Sequence, residues 1–147
     1  MEKVKLQAQY GLYINGEWRN ASDGATYNAE SPADGSHLAI CAQGSREDVE
    51  AASAAAWEAF KTWKKTTPAQ RAALLNKIAD IIDANKEHMA MVESMDNGKP
   101  IRETMNVDIP MAAEHFRYFA GCILAEEGQA SVLKEQFLSI ILREPIG

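Results

Sequence analysis

Apolar and polar positions alternate from Leu12 to Arg19 around the pair Asn15-Gly16, which predicts a tight β-hairpin. Thr26 to Asn28 and His37 to Ala42 read as a second pair of strands, joined by the turn at Pro32-Ala33-Asp34-Gly35. The opening fifty residues are therefore expected to be β-hairpins anchored by Tyr13 and Trp18, after a loosely held arm at residues 1–10. The period changes at Ser45, a capping residue with Asp48 three positions on and Glu47 also in the first turn. From there to about Lys64, Val49, Ala52, Ala56, Phe60 and Trp63 form one stripe, and its small alanines imply a closely approaching helix. Thr67-Pro68 opens a second helix, with threonine as N-cap and proline at the first helical position. It is expected to run to about Asp96 with Leu74, Leu75, Ile78, Ile81, Ile82, Met89 and Val92 inward, and to stop at Gly98 and Pro100. A third helical pattern starts at Ile101 and carries Pro110 within it, which predicts either a kink or a restart. From Ser131 the pattern turns β-like and apolar, and Phe137 to Leu142 would be an exposed edge strand with too few partners in this chain. The fold class is α/β: amino-terminal hairpins, three helical stretches and a terminal β-arm, with no repeat and no low-complexity linker.

Composition narrows the function. A chain of 147 residues could bury around two thirds of its unfolded surface if it closed on itself. A hydrophobic share of 46% and a charged share of 24% fit a soluble globular protein. A net charge of −6, with no basic stripe, argues against nucleic acid as a partner. No apolar run is long enough to span a bilayer and no signal pattern opens the chain, so no membrane partner is expected and the cytoplasm is the expected compartment. Cys41 and Cys122 stand far apart without metal-like spacing and read as small buried hydrophobes. Neither has the helix N-terminus or neighbouring cation that activates a thiolate. His37, His88 and His115 include no pair at the i, i+4 spacing of a helical metal site.

The densest signal is Met95-Asp96-Asn97-Gly98-Lys99-Pro100-Ile101-Arg102-Glu103, a helix end, a turn and a new helix in nine residues. A carboxylate and an amide at a helix C-terminus sit where the macrodipole favours cations, so Asp96 is oddly placed for stability alone. The structural alternative is that Asp96 and Asn97 satisfy backbone groups at the helix end. Met111 and His115 fall one helical turn apart, and on the residues alone Met111 packs into a core while His115 meets solvent or a carbonyl. Lys99 and Arg102 lack a glycine-rich phosphate loop and are expected to be solvated or paired with Glu103. Glu114 cannot share a helical face with His115, so no acid–base dyad is implied.

Taken with Asp108-Ile109-Pro110 and Glu114-His115-Phe116-Arg117-Tyr118-Phe119-Ala120-Gly121, that nine-residue run resembles the amino-terminal region of the NAD(P)-dependent aldehyde dehydrogenases. Tyr13-Ile14-Asn15-Gly16-Glu17-Trp18 is similar to the family's opening strand-turn-strand, and Leu142-Arg143-Glu144-Pro145-Ile146-Gly147 to the strand that feeds its cofactor domain. Ser31-Pro32-Ala33-Asp34-Gly35 resembles its Asn-Pro-Ala-Thr-Gly turn, with Ser for Asn and Asp for Thr. The likeness covers nearly the whole chain beyond the first ten residues and is closest in flavour to the bacterial acetaldehyde-type branch.

The resemblance carries definite implications. A complete enzyme would oxidise an aldehyde to a carboxylic acid with NAD or NADP. The catalytic cysteine, glutamate and asparagine and the phosphate-binding glycines would lie past this stretch, so no catalytic or cofactor-binding residue is expected here and the chain alone is expected to be inactive. Residues 1–130 would be scaffold of the cofactor domain, and residues 131–147 an oligomerisation arm. The partners would be the remainder of the enzyme and other subunits, as a homodimer or homotetramer. Asp96 with the backbone carbonyls of Ala29 and Glu30 would form a weak Na⁺ or K⁺ site, and Met111 and His115 would line the substrate tunnel. The alternative is a free-standing α/β interaction module that binds a partner through its terminal strand.

Overall fold

The computed structural model describes residues 4–147. The expected arm at residues 1–10 therefore lies partly outside the described residues. Its last two residues are not loose: β1 (Gln9–Tyr10) pairs in parallel with β5 (His37–Ala42). β4 (Thr26–Glu30) lies antiparallel on the other side of β5, giving the order β1-β5-β4, with a bulge between Ala29 and Glu30. Beside this sheet, β2 (Leu12–Ile14) and β3 (Glu17–Arg19) form the hairpin read from Asn15-Gly16. Both turn residues have positive φ, 55° and 83°, which matches the right-handed twist of the flanking strands. Tyr13 and Trp18 pair across it with ring centroids 5.0 Å apart, yet both are exposed, so they brace each other and anchor no core.

The link from β4 to β5 closes through Ser31. Its N–H donates to the Ser36 carbonyl (2.9 Å), its carbonyl accepts from Gly35 N–H (2.8 Å) and its hydroxyl accepts from Ala33 N–H (3.3 Å). A serine hydroxyl thus serves this turn as a short side-chain acceptor.

α1 (Arg46–Trp63) starts with a full capping box. Ala52 and Phe60 of its predicted stripe are half-buried, but Val49, Ala56 and Trp63 are exposed, so the expected helical neighbour does not cover the stripe. α2 (Pro68–Ala84) is capped reciprocally by Thr67 and Gln70, with Pro68 in the first turn. The single helix expected from Pro68 to Asp96 is in fact two. Asn85 leaves helical geometry at φ −111° and ψ 14°, and its side-chain amide donates to the Ile81 carbonyl. That competition with the backbone is what an asparagine inside a helical pattern offers. α3 (Lys86–Asn97) then restarts, keeping Met89 and Ala90 inward. Leu74 and Ile81, expected inside, are exposed.

Pro110 is accommodated by neither a simple kink nor a simple restart. A short turn α4 (Ile101–Glu103) passes into a π-helical turn at Thr104–Asp108, and α5 (Ile109–Ala125) follows with Pro110 in its first turn. The core lies between these helices: Ala79, Ile82, Ala90, Ile109 and Ala113 are buried, flanked by Ile78, Met105 and Phe116. Alanines at the centre let α2 and α5 approach closely. Arg117 of α5 clamps the pair, donating to Asp80 (2.8 Å) and Asp83 (2.7 Å) of α2.

The terminal arm is not an unpaired strand. β7 (Phe137–Ile141) pairs antiparallel with β6 (Gln129–Leu133), from Leu133↔Phe137 to Gln129↔Ile141. Its apolar side chains nevertheless face solvent, including Val132, Phe137, Leu138 and Ile140. The accessible surface is 11235 Å², whereas about 7,500 Å² is expected for a closed monomer of this 16.2 kDa mass. About half of the unfolded surface is buried instead of two thirds. The described fold leaves an unusually large area open.

Candidate functional site

The corner after α3 is built by Gly98. It takes the left-handed conformation (φ 77°), and a Cβ there would stand 2.9 Å from Pro32 Cγ. The helix end therefore rests on the turn that follows the Ala29–Glu30 bulge. Ser94 Oγ donates to the Lys99 carbonyl (2.5 Å), and Asn97 Oδ1 accepts from Lys99 N–H (2.8 Å). Backbone groups at the corner are thus satisfied by Ser94 and Asn97. Asp96 is exposed and, among the described residues, makes no hydrogen bond or ion pair. Its carboxylate field reaches Tyr27 on β4, whose phenol is held above its ordinary range chiefly by Cys41, its cross-strand partner, with Asp96 adding to the effect.

No group of three or more His, Cys, Asp or Glu side chains among the described residues is placed to hold a metal ion. Any cation held at this corner would rest on one carboxylate and backbone oxygens.

Lys99 reaches forward from the corner and donates to Asp108 (2.7 Å), with Glu93 at 4.0 Å. The Asp108 hydrogen bond lifts the Lys99 ammonium above its usual range. Arg102 pairs with Glu103 (2.8 Å), as expected, whereas Lys99 chooses Asp108. On α5, Met111 is 45% exposed and His115 is exposed, so neither packs into the core. Cys122 is also exposed, because its position on α5 faces away from α2, and the expectation of two buried cysteines fails there; Cys41 is half-buried. A cavity of about 710 Å³ opens elsewhere, among Phe60, Trp63, Arg71, Ile123, Arg143 and Pro145, and includes none of the candidate residues.

Sequence reading finds Asp48 only as a cap. In the structure it is buried and also joins the β-hairpin region to α1, accepting from Ser45 N–H (2.9 Å) and Ser22 N–H (3.1 Å), with Arg19 at 3.8 Å. The Ser45 and Ser22 N–H groups hold its carboxyl below the ordinary value of 3.8. Its stabilising effect is therefore fully present above about pH 3.8 and is lost as pH falls through the lower folded value. Asp48→Asn should lower stability at neutral pH and flatten the acid limb, the difference from the parent shrinking as pH falls. Denaturant unfolding from pH 7 down to pH 2 checks this.

Comparison with known proteins places the arrangement. Residues 18–147 match the aldehyde dehydrogenase family. A long-chain-aldehyde dehydrogenase of Acinetobacter sp is 44% identical over 99% of this chain, and an acetaldehyde dehydrogenase of Pseudomonas aeruginosa is 42% identical over 98%. The crystal structure of PnpE in complex with nicotinamide adenine dinucleotide overlays with a TM-score of 0.91 at 39% identity, covering 94% of this chain and 28% of that one. The chain spans 29% and 28% of the length of those two curated relatives. Long-chain and acetaldehyde enzymes match almost equally well, so the likeness does not choose between them. Among the described residues no helix is long and apolar enough to cross a membrane. On a match that runs through 130 of its 147 positions, from residue 18 to residue 147, this chain belongs to the aldehyde dehydrogenase family.

Proposed function

We propose that these residues form the amino-terminal part of a complete aldehyde dehydrogenase that oxidises an aldehyde to a carboxylic acid. The observation that carries this reading is the overlay of nearly the whole chain on under a third of an enzyme crystallised with nicotinamide adenine dinucleotide. In the complete enzyme the cofactor, NAD or NADP, would accept the hydride on residues outside this chain. Residues 1–130 serve as scaffold and residues 131–147 as an inter-subunit arm of a homodimer or homotetramer, in the cytoplasm. Asp96, with the Ala29 and Glu30 carbonyls, holds Na⁺ or K⁺; the free carboxylate and the Gly98–Pro32 contact support that assignment. Met111 and His115 line the aldehyde path, a role their exposure on one α5 face favours.

The test is to express the full coding sequence that carries these residues and to follow reduced cofactor with acetaldehyde and a long-chain aldehyde. Aldehyde-dependent reduction of NAD⁺ or NADP⁺ is expected. A folded full-length product that reduces neither would refute the reading. The hairpin β6–β7, with its apolar faces open, also favours a second reading, an α/β module that recruits a partner strand. A stop codon after Gly147, with a clean monomer on size exclusion, would favour that module.

A further inference from the structure

The π turn is out of keeping with its surroundings, and the pattern around it explains why it exists. Ile101, Met105, Ile109 and Ala113 all pack into or against the core, and they recur at every fourth residue. An unbroken α-helix would carry Ile109 about 80° past the face of Ile101. Asp108 and Ala112 would then approach the buried side, and His115 would follow them a turn later. The extra residue in the π turn returns the phase, so that Ile109, Ala113, Phe116 and Ala120 go inward. Asp108 stays half-buried at the surface, where it meets Lys99.

We propose that this π turn fixes the rotational phase of the Met111–His115 face, and that Thr104 is the positioning residue that holds it. The proposal rests on the reading that this face lines the aldehyde path. Thr104 is the one large side chain that is fully buried among the described residues. Its hydroxyl lies 2.9 Å from the Ala90 carbonyl of α3, to which it donates, and 3.2 Å from the Ile101 carbonyl. Its own carbonyl accepts the Ile109 N–H five residues on, the bond that defines the wide turn. In a continuous α-helix that carbonyl would accept Asp108 N–H instead, and Pro110, with no N–H, could not give the Asn106 carbonyl its α-type bond. At the other end of the turn Lys99 holds Asp108 at 2.7 Å, so one end is pinned to the middle of α3 and the other to the corner that follows it. Turned by one residue, the helix would show the aldehyde a different side chain at each position.

The experiment uses the full-length dehydrogenase. Thr104→Val keeps the shape and removes the hydroxyl, Thr104→Ser restores it, and Met111→Ala reports on the face itself. Thr104→Val should raise KM for aldehyde about tenfold, the equilibrium equivalent of one hydrogen bond, with kcat changed less than about twofold. It should also speed exchange of the Ile109 amide, and Thr104→Ser should bring both back. If Met111→Ala leaves KM unmoved, the tunnel reading fails; if Met111→Ala moves KM and Thr104→Val does not, the phase proposal fails. Deleting Asn106, an exposed residue of the turn, should give an ordinary α turn with the same phase beyond it. That deletion is therefore expected to keep the parental KM, and a rise of about tenfold would overturn the proposal even where Thr104→Val does not fold.

Discussion

The 147 residues, purified by themselves, are expected to give no aldehyde-dependent NADH, to bind a hydrophobic dye strongly and to elute well above 16.2 kDa. The reason is area. The chain exposes about 3,800 Å² beyond what a closed monomer of its mass would show. That excess is the size of an obligate interface. It is also concentrated: Val49, Trp57 and Trp63 open one side of α1, and Val132, Phe137, Leu138 and Ile140 open the hairpin. Contiguous apolar patches of this kind are covered in soluble proteins or they associate. Supplying the rest of the polypeptide, for example by co-expression of the matching carboxyl-terminal part of the Acinetobacter relative, should suppress dye binding and restore activity. A dye-silent, monodisperse monomer from the short chain would mean that the open faces need no partner, and the reading of α1 and the hairpin as surfaces awaiting the remaining enzyme would be lost.

What the sequence made legible was local. Asn15-Gly16, Ser45 with Asp48, and Thr67-Pro68 each act within a few residues, and each formed the expected turn or cap. Asn85 broke the second helix invisibly, since Ile82 before it and Met89 after it keep a helical spacing. The parallel pairing of Gln9–Tyr10 with Ile40–Cys41 joins residues about thirty positions apart, and no short-range pattern encodes it. Leu74, Ile81 and Val49 are apolar on faces this chain does not cover, so periodicity named them as inward while the burial they need lies elsewhere. The four-residue recurrence from Ile101 to Ala113 was present in the sequence, and it departs from 3.6 by the amount a π turn absorbs. At the candidate site, Asp96 was legible from its place at a helix end, but its lack of a partner was not. That required knowing that Ser94 and Asn97 take the local backbone groups.

Replacing Gly98 by alanine is expected to destabilise the protein by more than the same change at Gly35, and the difference isolates one contact. Both glycines have positive φ, 77° and 69°, so each alanine carries the left-handed penalty of about 1–2 kcal/mol. Gly35 has open space where the Cβ would go, whereas at Gly98 the Cβ would lie 2.9 Å from Pro32 Cγ. Relieving that overlap by moving the turn should add about 1–3 kcal/mol. Pro32→Ala alone should be mild, and in the Gly98→Ala background it should recover most of the added loss, because it removes the atom that is struck. Denaturant unfolding of the four full-length variants measures that coupling directly. The same contact holds the α3 end against the strand that carries Ala29 and Glu30. If the proposed cation sits there, added K⁺ or Na⁺ is expected to raise the thermal midpoint of the full-length protein, Gly98→Ala to weaken that gain and Asp96→Asn to abolish it. Zero coupling between Gly98 and Pro32 would mean that the corner does not bear on that turn, and a cation response that survives in Asp96→Asn would mean that Asp96 is not its ligand.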